Sequence, residues 1–202
     1  MSVGLRTFAN RWRRRLWHAV FFRILFGERS AGVDLPGTRI SPSTVIEHED
    51  RLHLADDVFI GHFNYIEASA GVRIGRGTQV TNFVSIVSHS THRAVRVAAA
   101  LSGSDSPALD GAVVRQPIEI GQRCFIGPHS TIEAGTVLGH GTLVASHSRV
   151  RGHFPDFAVL AGSPATVVGD TREPDRAWLA AHPQLRDGYE AWLRSVSAEV
   201  KP

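Results

Sequence analysis

An aliphatic residue returns at every sixth position between residues 120 and 150, with no slip in register. These positions are Ile120, Ile126, Ile132, Leu138, Val144 and Val150. The second and fifth residues of most units are small or turn-permissive, so each unit predicts a short strand followed by a tight corner. Three units close one triangular coil of about 18 residues with the aliphatic side chains stacked inside. The pattern predicts an all-β solenoid, a parallel β-helix in which each coil pairs with the next.

The same period continues upstream, with one reset of two residues between Ile66 and Ile74. It stops between Ile86 and Ile118, where the chain becomes rich in Ala, Gly and Ser. A long irregular excursion from a rigid solenoid is usually functional. We therefore expect a β-helix over residues 31–169, with the chemistry at a loop insertion of about residues 88–117.

The N-terminal segment, residues 1–30, departs from this period. Apolar residues recur there at steps of three or four and arginines crowd the other side, which predicts a basic amphipathic helix up to about Gly27. Such a helix can lie on an anionic membrane. It can also cap the unpaired first coil or contact another subunit. The run from Leu16 to Phe26 is too short to span a bilayer, and Arg23 argues against a secretory signal. We expect a cytoplasmic protein, with peripheral contact at the inner membrane face as one alternative.

The C-terminal segment, residues 170–202, is predicted to be helical from Pro174 to Lys201. Its apolar stripe includes Trp178, Leu185 and Trp192. We expect this helical extension to pack on the last coil or on a neighbouring subunit.

Composition fits one soluble domain with terminal additions. The 202 residues include 22 basic and 19 acidic side chains, and mean hydropathy is −0.06. The single cysteine, Cys124, excludes an intrachain disulfide and a cysteine-based zinc site. It stands where the repeat requires a small residue, so we interpret it as a packing residue. The basic residues cluster on one short helix without an interleaved aromatic motif, which disfavours a nucleic-acid partner.

Three segments carry a resemblance to a known family: Pro117–Gly121, Phe125–Gly127 and Ala161–Ala165. Their order and spacing resemble the hexapeptide-repeat acetyltransferases, in the maltose and galactoside branch and the related capsule and colanic acid branch. The resemblance covers roughly residues 38–169 and implies a left-handed β-helix, acetyl-CoA as co-substrate and no metal. Pockets of this family form between subunits around a threefold axis, which implies a homotrimer with shared sites.

The resemblance also indicates the catalytic residue. His89 and His92 match the family's His-x-x-His element, in which the first histidine is the general base. Acyl transfer to an alcohol requires removal of the hydroxyl proton, and an imidazole is suited to accept it near neutral pH. Glu67, one coil earlier, is a candidate for the carboxylate that orients His89. Glu67 and His92 are also candidate contacts for the acceptor.

Coenzyme A is expected along a groove lined by later coils and the closing turn. The positions that match the family's contacts are Gly127, Pro128, Ser146, Ala161, Gly162, Ser163 and Pro164. Glycine and proline suit a close, fixed backbone approach to a ligand. Thr166 stands where the family commonly has a basic residue, so a coenzyme A phosphate must find another arginine, Arg149 or Arg151, or remain in solvent.

The acceptor implied by the resemblance is a sugar hydroxyl in capsule, lipopolysaccharide or exopolysaccharide biosynthesis. An amino-sugar N-acetyltransferase and a non-catalytic β-helix scaffold remain as alternatives. The γ-type carbonic anhydrases share this helix but bind zinc through three histidines, two of which are five residues apart. Here His147 and His153 are six apart, and His48 and His53 are five apart but lie in the wrong coil. His129 and His147 are expected to stack at the corners of adjacent coils, and His140 and His153 are also expected at corners.

Overall fold

A computed structural model of the chain describes residues 3–98 and 111–199. Its centre is a three-sided solenoid of parallel strands, and the predicted β-helix is confirmed. Face 1 contains Arg39–Ile40, Phe59–Ile60, Gln79–Val80, Phe125–Ile126, Leu143–Val144 and Ala158–Gly162, and ends with the antiparallel strand Ala165–Asp170. Face 2 contains Val45–Glu47, Tyr65–Glu67, Ser85–Val87, Thr131–Glu133 and Arg149–Val150. Face 3 contains Leu52–Leu54, Val72–Ile74, Ile118–Ile120, Val137–Leu138 and His153–Phe154.

The six-residue period sets the register of the coils. Ile132 pairs with Val150 on face 2, and Ile126 pairs with Val144 on face 1. The insertion does not disturb this register, because Ile74 before it pairs with Ile120 after it. All of these side chains are buried in one continuous core. Burial of this aliphatic column, at roughly 25 cal/mol per Å² of apolar surface, is the main favourable term for the fold.

Small residues at the corners allow neighbouring coils to approach closely. A Cβ atom on Gly127 would lie 2.7 Å from the backbone nitrogen of Ser146 and from the carbonyl oxygen of Val144. Buried hydroxyls serve the corner backbone, as where Thr78 Oγ1 donates to the Gly121 carbonyl at 2.8 Å. The requirement for small residues in the repeat therefore comes from coil spacing and from carbonyl groups that need a donor.

The N-terminal helix α1 covers Val3–Phe21, so it ends before the predicted Gly27, and none of its residues is buried. Of the alternatives left open for this helix, capping of the first coil within one chain is not observed. A hairpin of Glu28–Ser30 and Val33–Leu35 takes that place, with Leu35 buried. The Ser30 hydroxyl donates to the Leu52 carbonyl and accepts from the Leu54 N–H. The hairpin thus supplies a hydroxyl that serves two backbone groups of the first coil, which the apolar face of an amphipathic helix does not offer.

The C-terminal extension forms two helices where one helical segment was predicted. They cover Arg172–Ala181 and Arg186–Glu199, and the 3₁₀ turn Pro183–Leu185 separates them. Trp192 meets Phe157 of the last coil edge to face, with ring centroids 5.6 Å apart. The predicted packing on the last coil is thus observed. A further 3₁₀ turn covers Glu49–Arg51. Within the two described ranges, no helix has the length and hydropathy needed to cross a bilayer.

Candidate active site

The insertion leaves the solenoid at the corner between faces 2 and 3. Its two arms pair as short antiparallel strands, His89–Ser90 with Val114–Arg115, and helix α2 follows over His92–Ala98. The Gln116 N–H donates to the Ser88 carbonyl at 3.0 Å and closes the neck of the insertion. Residues 99–110 of the predicted loop lie outside the described residues. The paired arms fix the position of His89 relative to the coil below it.

His89 contacts a buried carboxylate. Its Nδ1 lies 2.7 Å from Oε2 of Glu67, which ends a face 2 strand of the preceding coil. The Glu67 side chain is 1% exposed and the His89 side chain is 35% exposed. Glu67 Oε1 accepts the Ser69 N–H at 2.7 Å, and Oε2 accepts the Ser88 hydroxyl at 3.0 Å. The sequence did not single out Ser69 or Ser88, because neither belongs to a motif.

These hydrogen bonds keep Glu67 ionised. Burial would raise the pKa of Glu67, but hydrogen bonds from Ser69, His89 and Ser88 outweigh it and lower the pKa to about 2. An ionised carboxylate only accepts hydrogen bonds, so the proton of the neutral imidazole is on Nδ1. Nε2 of His89 is then the basic nitrogen. The arrangement can accept a proton at Nε2 while Glu67 holds the ring orientation.

The two other predicted acceptor contacts have different surroundings. Both carboxylate oxygens of Glu67 are engaged inside the protein, so its position supports orientation of His89 and not contact with an acceptor. His92 is exposed at the start of α2, with its Nδ1 2.7 Å from the Ser90 hydroxyl. It lies within the insertion, open to solvent, where an acceptor could reach it.

The predicted coenzyme A residues share another corner, between faces 1 and 2. Gly127–Pro128, Ser146 and the turn of residues 161–164 occupy it in three successive coils. The Gly127 N–H donates to the Val144 carbonyl, and the Ala145 N–H donates to the Leu160 carbonyl, each at 2.8 Å. Gly162 has φ of 107° at the reversal into Ala165–Asp170, beside a cis Ser163–Pro164 bond. Gly127, Pro128, Ser146 and residues 161–164 are called the cofactor strip from here on. Within one chain, the cofactor strip and His89 lie at different corners, separated by face 2.

The two arginines expected near the phosphates lie away from the cofactor strip. Arg149 is on face 2 and pairs with Glu133 at 3.2 Å. Arg151 is exposed at the corner between faces 2 and 3. Neither belongs to the corner of the cofactor strip in the same chain.

The remaining histidines are arranged largely as the repeat predicted. The rings of His129 and His147 stack with centroids 4.9 Å apart, and the column continues through Phe83 to Phe63. All four residues have φ between 58° and 60° at equivalent corner positions. His140 lies at a corner as expected, but His153 lies in a face 3 strand, so that expectation is wrong.

The described residues offer no candidate metal cluster, and the single cysteine is buried. Among residues 3–98 and 111–199, no group of three His, Cys, Asp or Glu side chains could hold a metal ion. Cys124 is buried in the core, and burial raises the pKa of its thiol to about 12. A thiol with that pKa stays protonated near neutral pH and acts in packing.

Comparison with known proteins connects this geometry to a family. The model of the bacterial transferase hexapeptide family (six repeats) matches residues 110–152. The chain is 28% identical over 130 residues to the putative lipopolysaccharide biosynthesis O-acetyl transferase WbbJ of Escherichia coli K12, covering 64% of this chain and 66% of that protein. It is 24% identical to the putative colanic acid biosynthesis acetyltransferase WcaF of the same organism, covering 79% and 78%. The chain thus spans just under two thirds of the length of WbbJ.

Solved structures show the same fold. The hexapeptide-repeat containing acetyltransferase of Vibrio cholerae O1 biovar eltor complexed with acetyl coenzyme A matches with a TM-score of 0.58 and 19% identity, covering 80% of this chain and 78% of that one. Galactoside acetyltransferase in complex with coenzyme A matches with a TM-score of 0.56 and 19% identity, covering 68% and 63%. The six-residue period, the family-model match over residues 110–152 and these relatives together support the hexapeptide-repeat acetyltransferase family for this chain.

Proposed function

We propose that the protein is an acetyl-CoA-dependent O-acetyltransferase that acts on a sugar hydroxyl in capsule, lipopolysaccharide or exopolysaccharide biosynthesis. The observation that carries the proposal is the contact between His89 and the ionised, buried Glu67. Such a pair is the arrangement required of a general base for an alcohol. The names of WbbJ and WcaF support an acetyl group and a polysaccharide pathway.

The proposed reaction uses His89 twice. Nε2 takes the proton of the sugar hydroxyl as its oxygen attacks the thioester carbonyl carbon. The tetrahedral intermediate then collapses, the carbon–sulfur bond breaks, and the imidazolium returns the proton to the departing thiolate. The products are a sugar acetate ester and coenzyme A with a free thiol, so no covalent enzyme intermediate is needed. The carboxylate of Glu67 stabilises the imidazolium between the two proton transfers.

We also propose that the active unit is a homotrimer. His89 and the cofactor strip lie at different corners of one chain, so the base of one protomer must meet the strip of another to complete a site. A flat solenoid face encloses no ligand alone, whereas a cyclic trimer repeats one interface three times and forms three equivalent clefts. We further propose that the enzyme is cytoplasmic and contacts an anionic membrane peripherally through α1.

The test measures thiol release from acetyl-CoA with saccharide acceptors. His89→Ala is expected to lower kcat by about 10²- to 10⁴-fold. The matched control is His153→Ala, because His153 is exposed on face 3 and is expected to leave the rate unchanged. Mass spectrometry and hydroxylamine lability identify the product as an ester. Equal rates for His89→Ala and wild type would discard the mechanism, and a base-stable amide product would replace the alcohol acceptor with an amine.

A further inference from the structure

Helix α1 carries an apolar face that no other described part of the chain covers. Projected at about 100° per residue, five of its apolar positions fall within one arc of about 120°, and Val3, Trp17 and Phe21 lie outside it. The arc contains Leu5, Phe8, Trp12, Leu16 and Val20, which are 52–66% exposed. Two of the five are aromatic, and the indole of Trp12 suits the boundary between water and lipid chains. This surface, defined by those five residues, is the α1 apolar arc.

Charge identifies the kind of partner that fits the α1 apolar arc. Arg13 and Arg15 border the arc on its two sides in the same projection. Residues 1–27 contain six of the 22 basic residues and none of the 19 acidic ones, so the rest of the chain holds 16 basic and 19 acidic side chains. The positive net charge of the protein therefore comes entirely from this segment, and the remainder is net acidic. An anionic surface would attract α1 selectively.

A second copy of α1 is a poorer occupant of the arc. Two such helices packed through their arcs would bring ten arginines together with no acidic side chain on either helix, and like charges at short range repel. An anionic lipid surface satisfies both features at once, because it takes apolar side chains below the headgroups and arginines among them.

We infer that α1 docks in the plane of an anionic lipid bilayer, with the α1 apolar arc inserted below the headgroups. The end of the segment is tied to the solenoid, since the Phe22 ring packs against His62 and Phe63 with centroids 5.9 and 5.6 Å apart. His62 and Phe63 belong to the same corner as the cofactor strip. The docked helix would therefore hold the solenoid close to the membrane, and the acceptor would be a lipid-linked saccharide. This last step rests on the proposed function.

Vesicle flotation tests the docking with the full chain. Wild type is expected to float with phosphatidylcholine vesicles that contain phosphatidylglycerol and to stay behind with phosphatidylcholine alone. The triple variant Arg13→Gln, Arg14→Gln, Arg15→Gln should lose on the order of 100-fold in partitioning at low salt. The triple variant Phe8→Ser, Trp12→Ser, Leu16→Ser should lose at least as much. The matched control is Trp178→Ser, which removes an indole of similar exposure, 53%, from the C-terminal extension and should float like wild type.

Several results would overturn the inference. Two concern vesicles: equal binding of wild type to neutral vesicles, and flotation of the Ser variant like wild type. Loss of the oligomer in the Ser variant on size-exclusion chromatography would instead indicate that the α1 apolar arc is a contact between subunits. Capture of wild type by a single-stranded oligonucleotide in preference to anionic vesicles would indicate a nucleic-acid partner.

Activity separates this inference from the proposed function. The Ser variant should keep the wild-type rate on a soluble saccharide and lose at least about tenfold on a lipid-linked one presented in vesicles. His89→Ala should lose both rates and still float. A Ser variant with undiminished activity on the vesicle-bound acceptor would remove the lipid-linked substrate from the proposal.

Discussion

Nδ1 of His89 lies 2.7 Å from Oε2 of Glu67, across the corner where the insertion leaves the solenoid. The carboxylate belongs to one coil and the imidazole to the first strand of the insertion, so the contact exists only when coils and insertion are both folded. Three donors converge on the carboxylate, two of them from Ser69 and Ser88. The contact therefore links the stability of this corner to the proposed chemistry.

Glu67→Gln should lower kcat and leave KM for acetyl-CoA unchanged. Each carboxylate oxygen now accepts a hydrogen bond, so the amide nitrogen of glutamine would face a donor in either orientation and disturb the ring of His89. We expect a loss of at least about tenfold in kcat, as for a residue that positions the base. Steady-state kinetics measure the split. Glu119→Gln, exposed on face 3, is the control, and a rise in KM with unchanged kcat would contradict the positioning role.

The same carboxylate predicts how stability depends on pH. The pKa of Glu67 is lowered from 4.5 to about 2, so its contribution to the free energy of unfolding is fully present above pH 4.5 and is lost as pH falls toward 2. Such a shift corresponds to about 3 kcal/mol. Denaturant titrations between pH 7 and pH 2.5 should show a steeper loss in wild type than in Glu67→Gln. Parallel curves for the two proteins would show that Glu67 does not carry the effect.

Gly121→Ala should destabilise the solenoid without touching the site. The new Cβ would lie 2.7 Å from the backbone nitrogen of His140 and 2.8 Å from the carbonyl carbon of Gly139, so two coils must separate locally. We expect a loss of roughly 1–3 kcal/mol in the free energy of unfolding. Gly169→Ala is the control, because its Cβ would meet Val159 at an ordinary 3.7 Å. Thermal unfolding compares the two, and equal melting temperatures would contradict the close-approach argument.

Mixed trimers test whether the site is shared between chains. His89→Ala lacks the base, and Ser146→Trp places a bulky ring on the cofactor strip, so each is expected to be inactive alone. In a cyclic trimer that mixes the two variants, one of the three interfaces joins an intact His89 to an intact cofactor strip. This predicts about one third of the wild-type rate. Co-expression with two purification tags isolates these trimers. Absence of activity in them would show that one chain supplies both parts.

The sequence by itself determined the solenoid. A column of aliphatic side chains every six residues has one way to be buried, so the period dictated the coils, their register and the point at which the insertion interrupts them. His89 could also be chosen from the sequence, because its His-x-x-His motif lies where the insertion interrupts the repeat. The basic amphipathic character of the N-terminal segment was also evident, because helical periodicity needs no tertiary information.

Tertiary structure decided the rest. The sequence left two roles open for Glu67, acceptor contact and orientation of His89. The structure favours orientation, because Glu67 is buried beneath the insertion and both of its carboxylate oxygens accept hydrogen bonds. The sequence also allowed α1 to cap the first coil, but the hairpin of residues 28–35 contacts that coil through the Ser30 hydroxyl and the helix face stays exposed. The corner at which His89 lies and the corner of the cofactor strip depend on the number of residues that join successive strands of each coil. These outcomes depend on burial and on contacts between residues distant in the chain, and local periodicity carries no information about either.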